Sequence, residues 1–158
     1  IIDKSTIDLS IIGGRRMLMN LRKISELFYQ IKVSNQETTS LFEKETGFSL
    51  TRYELMMFLK ENGKCSQSQI HVELKIDSAA ITRHLKILEE KDYVIRERNH
   101  ENNREIFVQL TDSAKQDLEN CEKEHNSLDN NLEITLNNEE ADQLLHLLNK
   151  LTNKQKEV

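Results

Sequence analysis

The stretch from Asp77 to Leu110, DSAAITRHLKILEEKDYVIRERNHENNREIFVQL, leaves this chain few architectures to adopt. Ile81, Leu85 and Leu88 fall four and three apart, which lays one apolar stripe along a helix. The opposite face carries Ala79, Thr82, Arg83 and Lys86, which are small, hydroxyl-bearing or cationic. Asp77 is placed to cap the helix, because its carboxylate accepts from the free amide hydrogens of the first turn. Tyr93–Ile95 and Ile106–Val108 are β-branched or aromatic runs flanking a polar, Asn-rich segment, the pattern of a two-stranded hairpin. A helix with a donor-rich outer face beside such a hairpin suits a nucleic-acid groove.

The preceding residues supply a partner for that helix. Ser66 with Gln69 forms a capping box that opens a short helix with Ile70 and Leu74 inward, and a turn at Lys75-Ile76 leads into the Asp77 helix. A short helix, a brief turn and a second helix with a polar outer face form a helix-turn-helix layout. Before it, Thr51 with Glu54 reads as another capping box, opening a helix through Leu55, Met56, Phe58 and Leu59 that Gly63 closes. From about Leu18 to Thr46 a long amphipathic helix is predicted, with Leu21, Ile24, Leu27, Phe28 and Ile31 on its apolar face and Gly47 as its stop. Residues 1–17 match nothing that follows and read as an N-terminal extension or a foreign remnant.

After the hairpin, Thr111 caps a fifth helix. Ala114, Leu118, Cys121, His125, Leu128 and Leu132 recur at steps of four, three, four, three and four, a heptad-like seam. Asn137 and Glu140 open a sixth helix with Leu144, Leu147, Leu148 and Leu151. This is more apolar stripe than one small core buries. The expectation is a homodimer built on Leu21, Ile24, Leu118, Cys121, His125, Leu128, Leu144, Leu148 and Leu151. The fold class is therefore mainly α (α+β), in four segments: 1–17, a dimerisation helix 18–46, a winged core 47–111, and C-terminal dimerisation helices 112–158.

Charge bears on the partner through its distribution. The net charge is -5, yet residues 1–75 carry +2, residues 76–111 carry -1 and residues 112–158 carry -6. The acidity is C-terminal, which leaves room for a groove-facing side. Proline is absent and glycines number four, so helices run uninterrupted. No apolar run approaches the roughly 18 residues that cross a bilayer. No signal-peptide core is visible either, so a cytoplasmic protein without a membrane partner is expected. Enzymatic function finds no support: there is no nucleophile with a base, no glycine-rich phosphate loop and no catalytic carboxylate pair. The five histidines show no metal-ligand spacing, and no cofactor is expected.

The order of elements resembles the MarR family of bacterial transcription regulators over roughly Leu21 to Thr152. The resemblance rests on Ser78 opening the helix, then Thr82-Arg83 and Leu88-Glu89, then Arg104 at the hairpin tip and Leu110-Thr111 closing the last strand. Two positions depart from the family pattern: Asn102 stands for the wing aspartate, and Asp92 for a turn glycine. Glu97, Glu101 and Glu105 add negative charge to the wing.

The resemblance implies a homodimeric, sequence-specific regulator, a repressor, of double-stranded DNA with a palindromic operator, released by a small-molecule or other effector. On that reading Arg83 contacts guanine, Lys86 and Thr82 lie beside it, and Ser78 and Ala79 meet phosphate and thymine methyl. Arg98, Asn102 and Arg104 belong to the wing, with Arg104 in the minor groove, and Thr51, Arg52, Ser66 and Gln67 position the backbone. Phe28, Tyr29, Arg52 and His71 are the candidates for an effector cleft. Cys65, beside Lys64 and a helix start, offers redox control as another route, whereas Cys121 on the seam reads as inert. The alternative is a winged-helix module that binds protein and has weak or no affinity for DNA, which the wing glutamates favour.

Overall fold

A computed structural model describes residues 18–102, 104–126 and 134–152, so the expectations for residues 1–17 and for Leu128 and Leu132 lie outside the described residues. The chain divides after Thr38 into two compact units. The first contains most of α1 (Leu21–Thr46). This helix begins at Leu21 rather than at 18, because the Asn20 carboxamide accepts from the Lys23 amide at 2.8 Å and caps it. None of its residues is buried: Leu21 is 81% exposed, and Leu27, Phe28 and Tyr29 are exposed as well.

The second unit holds the end of α1, then α2 (Leu50–Asn62), β1 (Cys65–Ser66), α3 (Gln67–Leu74), α4 (Ser78–Glu90), β2 (Val94–Arg98), β3 (Ile106–Leu110), α5 (Asp112–His125) and α6 (Asn138–Thr152). The sheet is antiparallel in the order β1-β3-β2, with Val94 opposite Leu110 and Arg98 opposite Ile106. A winged helix-turn-helix fold results, with α3 and α4 as the motif and β2–β3 as the wing.

Most caps arise where the side chains place them. Ser66 and Gln69 exchange both bonds of a capping box, Asp77 accepts from the Ala80 amide, and Thr111 accepts from the Ala114 amide. Asn137 and Glu140 bond reciprocally at 3.0 Å before α6. Thr51 is a correction. It lies inside the first turn of α2, whose cap is Ser49 without a side-chain bond. Strand β1 is the other: Cys65 pairs with Val108 and Ser66 with Phe107, a contact between segments some forty residues apart that no local pattern announces.

The core joins Leu55, Met56 and Leu59 of α2, Ile70 of α3, Ile81, Leu85 and Leu88 of α4, Val94 of β2, Val108 and Leu110 of β3, and Ala114 and Leu118 of α5. Each fully covered aliphatic side chain contributes on the order of 1.5–3 kcal/mol. Here the expected dimer seam is corrected. Leu118 is completely covered and Cys121 nearly so by the chain itself, so both are spent on the fold. His125 has its Nε2 atom 3.1 Å from the Glu45 carbonyl oxygen at the end of α1. By contrast, α6 buries none of its residues, and Leu144, Leu145, Leu147 and Leu151 are exposed.

Candidate nucleic-acid interface

Helix α4 is amphipathic for a physical reason that also builds the site. Ala80, Ile81, Leu85 and Leu88 are drawn into the core, which forces Ser78, Ala79, Thr82, Arg83 and Lys86 outward together. Arg83 is exposed and enters no ion pair among the described residues. Lys86 reaches Glu90 at only 3.9 Å, one exposed turn apart, a contact worth a few tenths of a kcal/mol, about 0.3–0.5. The Thr82 hydroxyl donates to the Ser78 carbonyl at 2.9 Å, so its proton is engaged while its oxygen still faces solvent.

His84 feels the charge of two arginines proposed from the sequence, Arg52 and Arg83. Burial pushes its imidazole below the usual range, and the charges of Arg52 and Arg83 push the same way against the opposing pull of Asp77. The charges of Arg52 on α2 and Arg83 on α4 thus both act on the same imidazole. The His84 Nδ1 atom and the Gln67 Nε2 atom are buried without a hydrogen-bond partner among the described residues. Both lie in the helix-turn-helix. Ser66 is a further correction: it is only 3% exposed, and its hydroxyl accepts from the Gln69 amide, so its side chain is not free to position a nucleic-acid backbone.

The wing tip is tied by amides. Asn99 donates from its side chain to Glu105 at 2.9 Å, and its oxygen accepts from the Glu101 amide. Asn102 does not hold an arginine guanidinium. Its Oδ1 atom accepts from the Arg104 backbone amide at 3.2 Å, which shapes the turn and leaves the guanidinium exposed. Arg98 is exposed too. Asp92 takes the left-handed conformation, φ 58°, that a turn glycine would adopt more easily. Thr111 secures that turn by donating its hydroxyl to the Asp92 carbonyl at 2.7 Å.

Two ion pairs escape a reading of the sequence. Arg96 of β2 donates from both Nε and Nη2 to one carboxylate oxygen of Glu89 on α4. That bond to Arg96 holds the Glu89 carboxyl below the usual range. On the other face of the sheet Lys64 pairs with Glu97, with its ammonium 5.6 Å from the centre of the Phe107 ring. Glu89 and Arg96 lie on different elements, α4 and β2, and Lys64 is thirty-three residues from Glu97, so no i, i+3 or i, i+4 spacing announces either pair.

The remaining candidates divide by unit. Phe28 and Tyr29 belong to the first unit and are exposed. In the second, Arg52 is half-buried, and a ring nitrogen of His71 lies 2.6 Å from the Ile76 carbonyl oxygen, bracing the turn before α4. Cys65 corrects the redox expectation, since burial pushes its thiol up rather than down. Among the described residues no group of three metal-ligating side chains lies together, and no helix is long and apolar enough to cross a membrane.

Fold and surface thus define a winged helix-turn-helix protein that turns a donor-rich helix outward. Known proteins agree. The MarR family model matches residues 48–106. The uncharacterized HTH-type transcriptional regulator YdgJ of Bacillus subtilis is 36% identical over 129 residues, 82% of this chain and 79% of that protein. A mutant of Escherichia coli MarR complexed with operator DNA superposes with a TM-score of 0.71 at 23% identity, over 85% of this chain and 99% of that one. Bordetella bronchiseptica BpsR, whose DNA binding is regulated by 6-hydroxynicotinic acid, superposes with a TM-score of 0.69 at 16% identity, over 81% of this chain and 99% of that one. The chain belongs to the MarR family of helix-turn-helix transcriptional regulators.

Proposed function

We propose that the chain is a sequence-specific repressor that binds a palindromic double-stranded operator as a homodimer and is released by a small-molecule effector. The observation that carries this reading is α4, whose core-facing residues force Arg83, Lys86, Thr82, Ser78 and Ala79 onto one outward face. In a major groove Arg83 has the reach and fork to bond the two acceptor atoms of guanine. Arg104 and Arg98, exposed on the wing, enter the neighbouring minor groove, where narrow tracts concentrate negative potential. Thr51 and Arg52 face the phosphates, whereas the buried Nε2 atom of Gln67 takes its side-chain donor out of that role.

Dimerisation rests on the surfaces a single chain leaves bare or half-covered: Leu21 with Ile24 on α1, and Leu144, Leu148 and Leu151 on α6. Two-fold pairing places two α4 helices one helical turn of DNA apart, about 34 Å. For the effector, the candidate residues are Phe28 and Tyr29 on the first unit and Arg52 and His71 on the second. An effector that favours another spacing of the recognition helices releases DNA, as the regulated DNA binding of BpsR illustrates for a protein of like fold. The alternative reading, a protein-docking module, is favoured by the carboxylates of Glu89 and Glu97, which neutralise Arg96 and Lys64.

A mobility shift on the promoter upstream of the chain's own gene separates the two. Binding that weakens steeply with salt supports DNA reading. Arg83→Ala then loses discrimination between operator and mismatched sequence by about 1–3 kcal/mol. Absence of binding to any promoter fragment favours the docking module.

A further inference from the structure

The hairpin row Val94, Arg96, Arg98 lies on the face of the sheet turned toward α4, and its surroundings change along its length. Val94 is buried in the core, Arg96 is partly covered and paired with Glu89, and Arg98 is exposed. Packing therefore holds the base of the wing, and the ion pair is the outermost bond between wing and recognition helix among the described residues. Glu89 lies in the last turn of α4, so the pair ties the far end of that helix to the middle of β2. The Arg96 side chain is 22% exposed and that of Glu89 41%, a setting where solvent screens the pair only in part. Both donors of Arg96 converge on one oxygen, which restricts the swing of the strand as well as its distance.

We propose that Glu89 and Arg96 are a positioning pair, fixing the angle between wing and recognition helix so that α4 and the exposed Arg98 and Arg104 meet adjoining grooves at once. This rests on the DNA-reading function proposed above, and neither member of the pair touches DNA. Replacing Glu89 by glutamine then sets two effects against each other. Loss of a carboxylate beside phosphates strengthens attraction, so a role in charge alone tightens binding. Loss of the charge leaves only a weaker amide–guanidinium bond and loosens the hairpin, so a role in positioning weakens binding.

The test uses the full chain on a promoter fragment that the wild type protects, with mobility shifts and hydroxyl-radical footprints at fixed salt. Glu89→Gln is expected to bind about fivefold more weakly despite the loss of a negative charge. Its outer, minor-groove protections fade while the central major-groove protection remains. A charge swap, Glu89→Arg with Arg96→Glu, keeps the net charge and is expected to recover both affinity and outer protection. Equal or tighter binding by Glu89→Gln overturns the proposal, as does a swap that stays as weak as Glu89→Gln. Loss of central and outer protection together, with a lowered unfolding temperature, marks a folding role and overturns it too. A wild type that shifts no fragment overturns the DNA reading itself, whereas failure confined to the variants overturns only the positioning.

Discussion

The imidazole of His125 joins the end of α5 to the end of α1: its Nε2 atom lies 3.1 Å from the Glu45 carbonyl oxygen, and its Nδ1 atom lies 2.9 Å from the Cys121 carbonyl oxygen. The last carbonyls of a helix have no partner within it, so a side-chain donor there satisfies a group that would otherwise need water. Nearby, Lys60 pairs with Glu122 at 3.1 Å and docks the same helix on α2. His125→Ala is expected to lower stability by about 1 kcal/mol in denaturant unfolding while leaving sequence preference on DNA intact.

The two classes of leucine in the terminal helices separate in one pair of measurements. Leu118 is completely buried, so Leu118→Ala leaves a cavity and costs about 2–5 kcal/mol of unfolding free energy. Leu147 is 58% exposed, so Leu147→Lys leaves the unfolding of the core unchanged. If α6 pairs with a second copy, light scattering of Leu147→Lys reports a lower mass than wild type. Unchanged mass removes this face of α6 from the dimer.

Thiol reactivity follows from burial. Cys65 and Cys121 are both covered, and desolvation pushes both thiols up, with Glu124 and Glu122 adding to the effect at Cys121. The thiolate is the reactive form, so native protein alkylates slowly at neutral pH and denatured protein quickly. Peroxide treatment that released DNA from wild type and not from Cys65→Ser would contradict this.

Acid sensitivity has a defined sign at Glu89. Its carboxyl is held below the ordinary glutamate range, near 4.5, first by the hydrogen bond from Arg96. A carboxyl depressed in the folded state stabilises fully above its unfolded value, and that contribution is lost as pH falls through the folded value. The pair is partly exposed, so the contribution is at most about 1 kcal/mol. Glu89→Gln is expected to flatten the decline in stability below about pH 4.5 relative to wild type, read as unfolding free energy against pH.

What could be read beforehand follows the range of the interaction. The caps at Ser66, Asp77, Thr111 and Asn137 each join residues three apart, so the local sequence contains both partners. The stripe of α4 is legible for the same reason. Strand β1 is not, because Cys65 and Ser66 have no strand pattern and acquire one only from Val108 and Phe107. The spacing of Leu118 and Cys121 identifies an apolar face without saying whether the same chain or another covers it. The wing's electrostatics are hidden likewise: Arg96 and Lys64 count as cations in the sequence, yet Glu89 and Glu97 reach them across a turn and across a sheet.

Ser66 occupies two structures at once. It is a strand residue opposite Phe107 and the cap that holds the first turn of α3 through Gln69. The wing and the helix-turn-helix consequently meet at Ser66 as well as through the packed base of the hairpin and the Glu89–Arg96 bond. These attachments at separate points make the motif and its wing a braced frame instead of a row of independent levers. A load on the tip of the hairpin is carried to both helices of the motif.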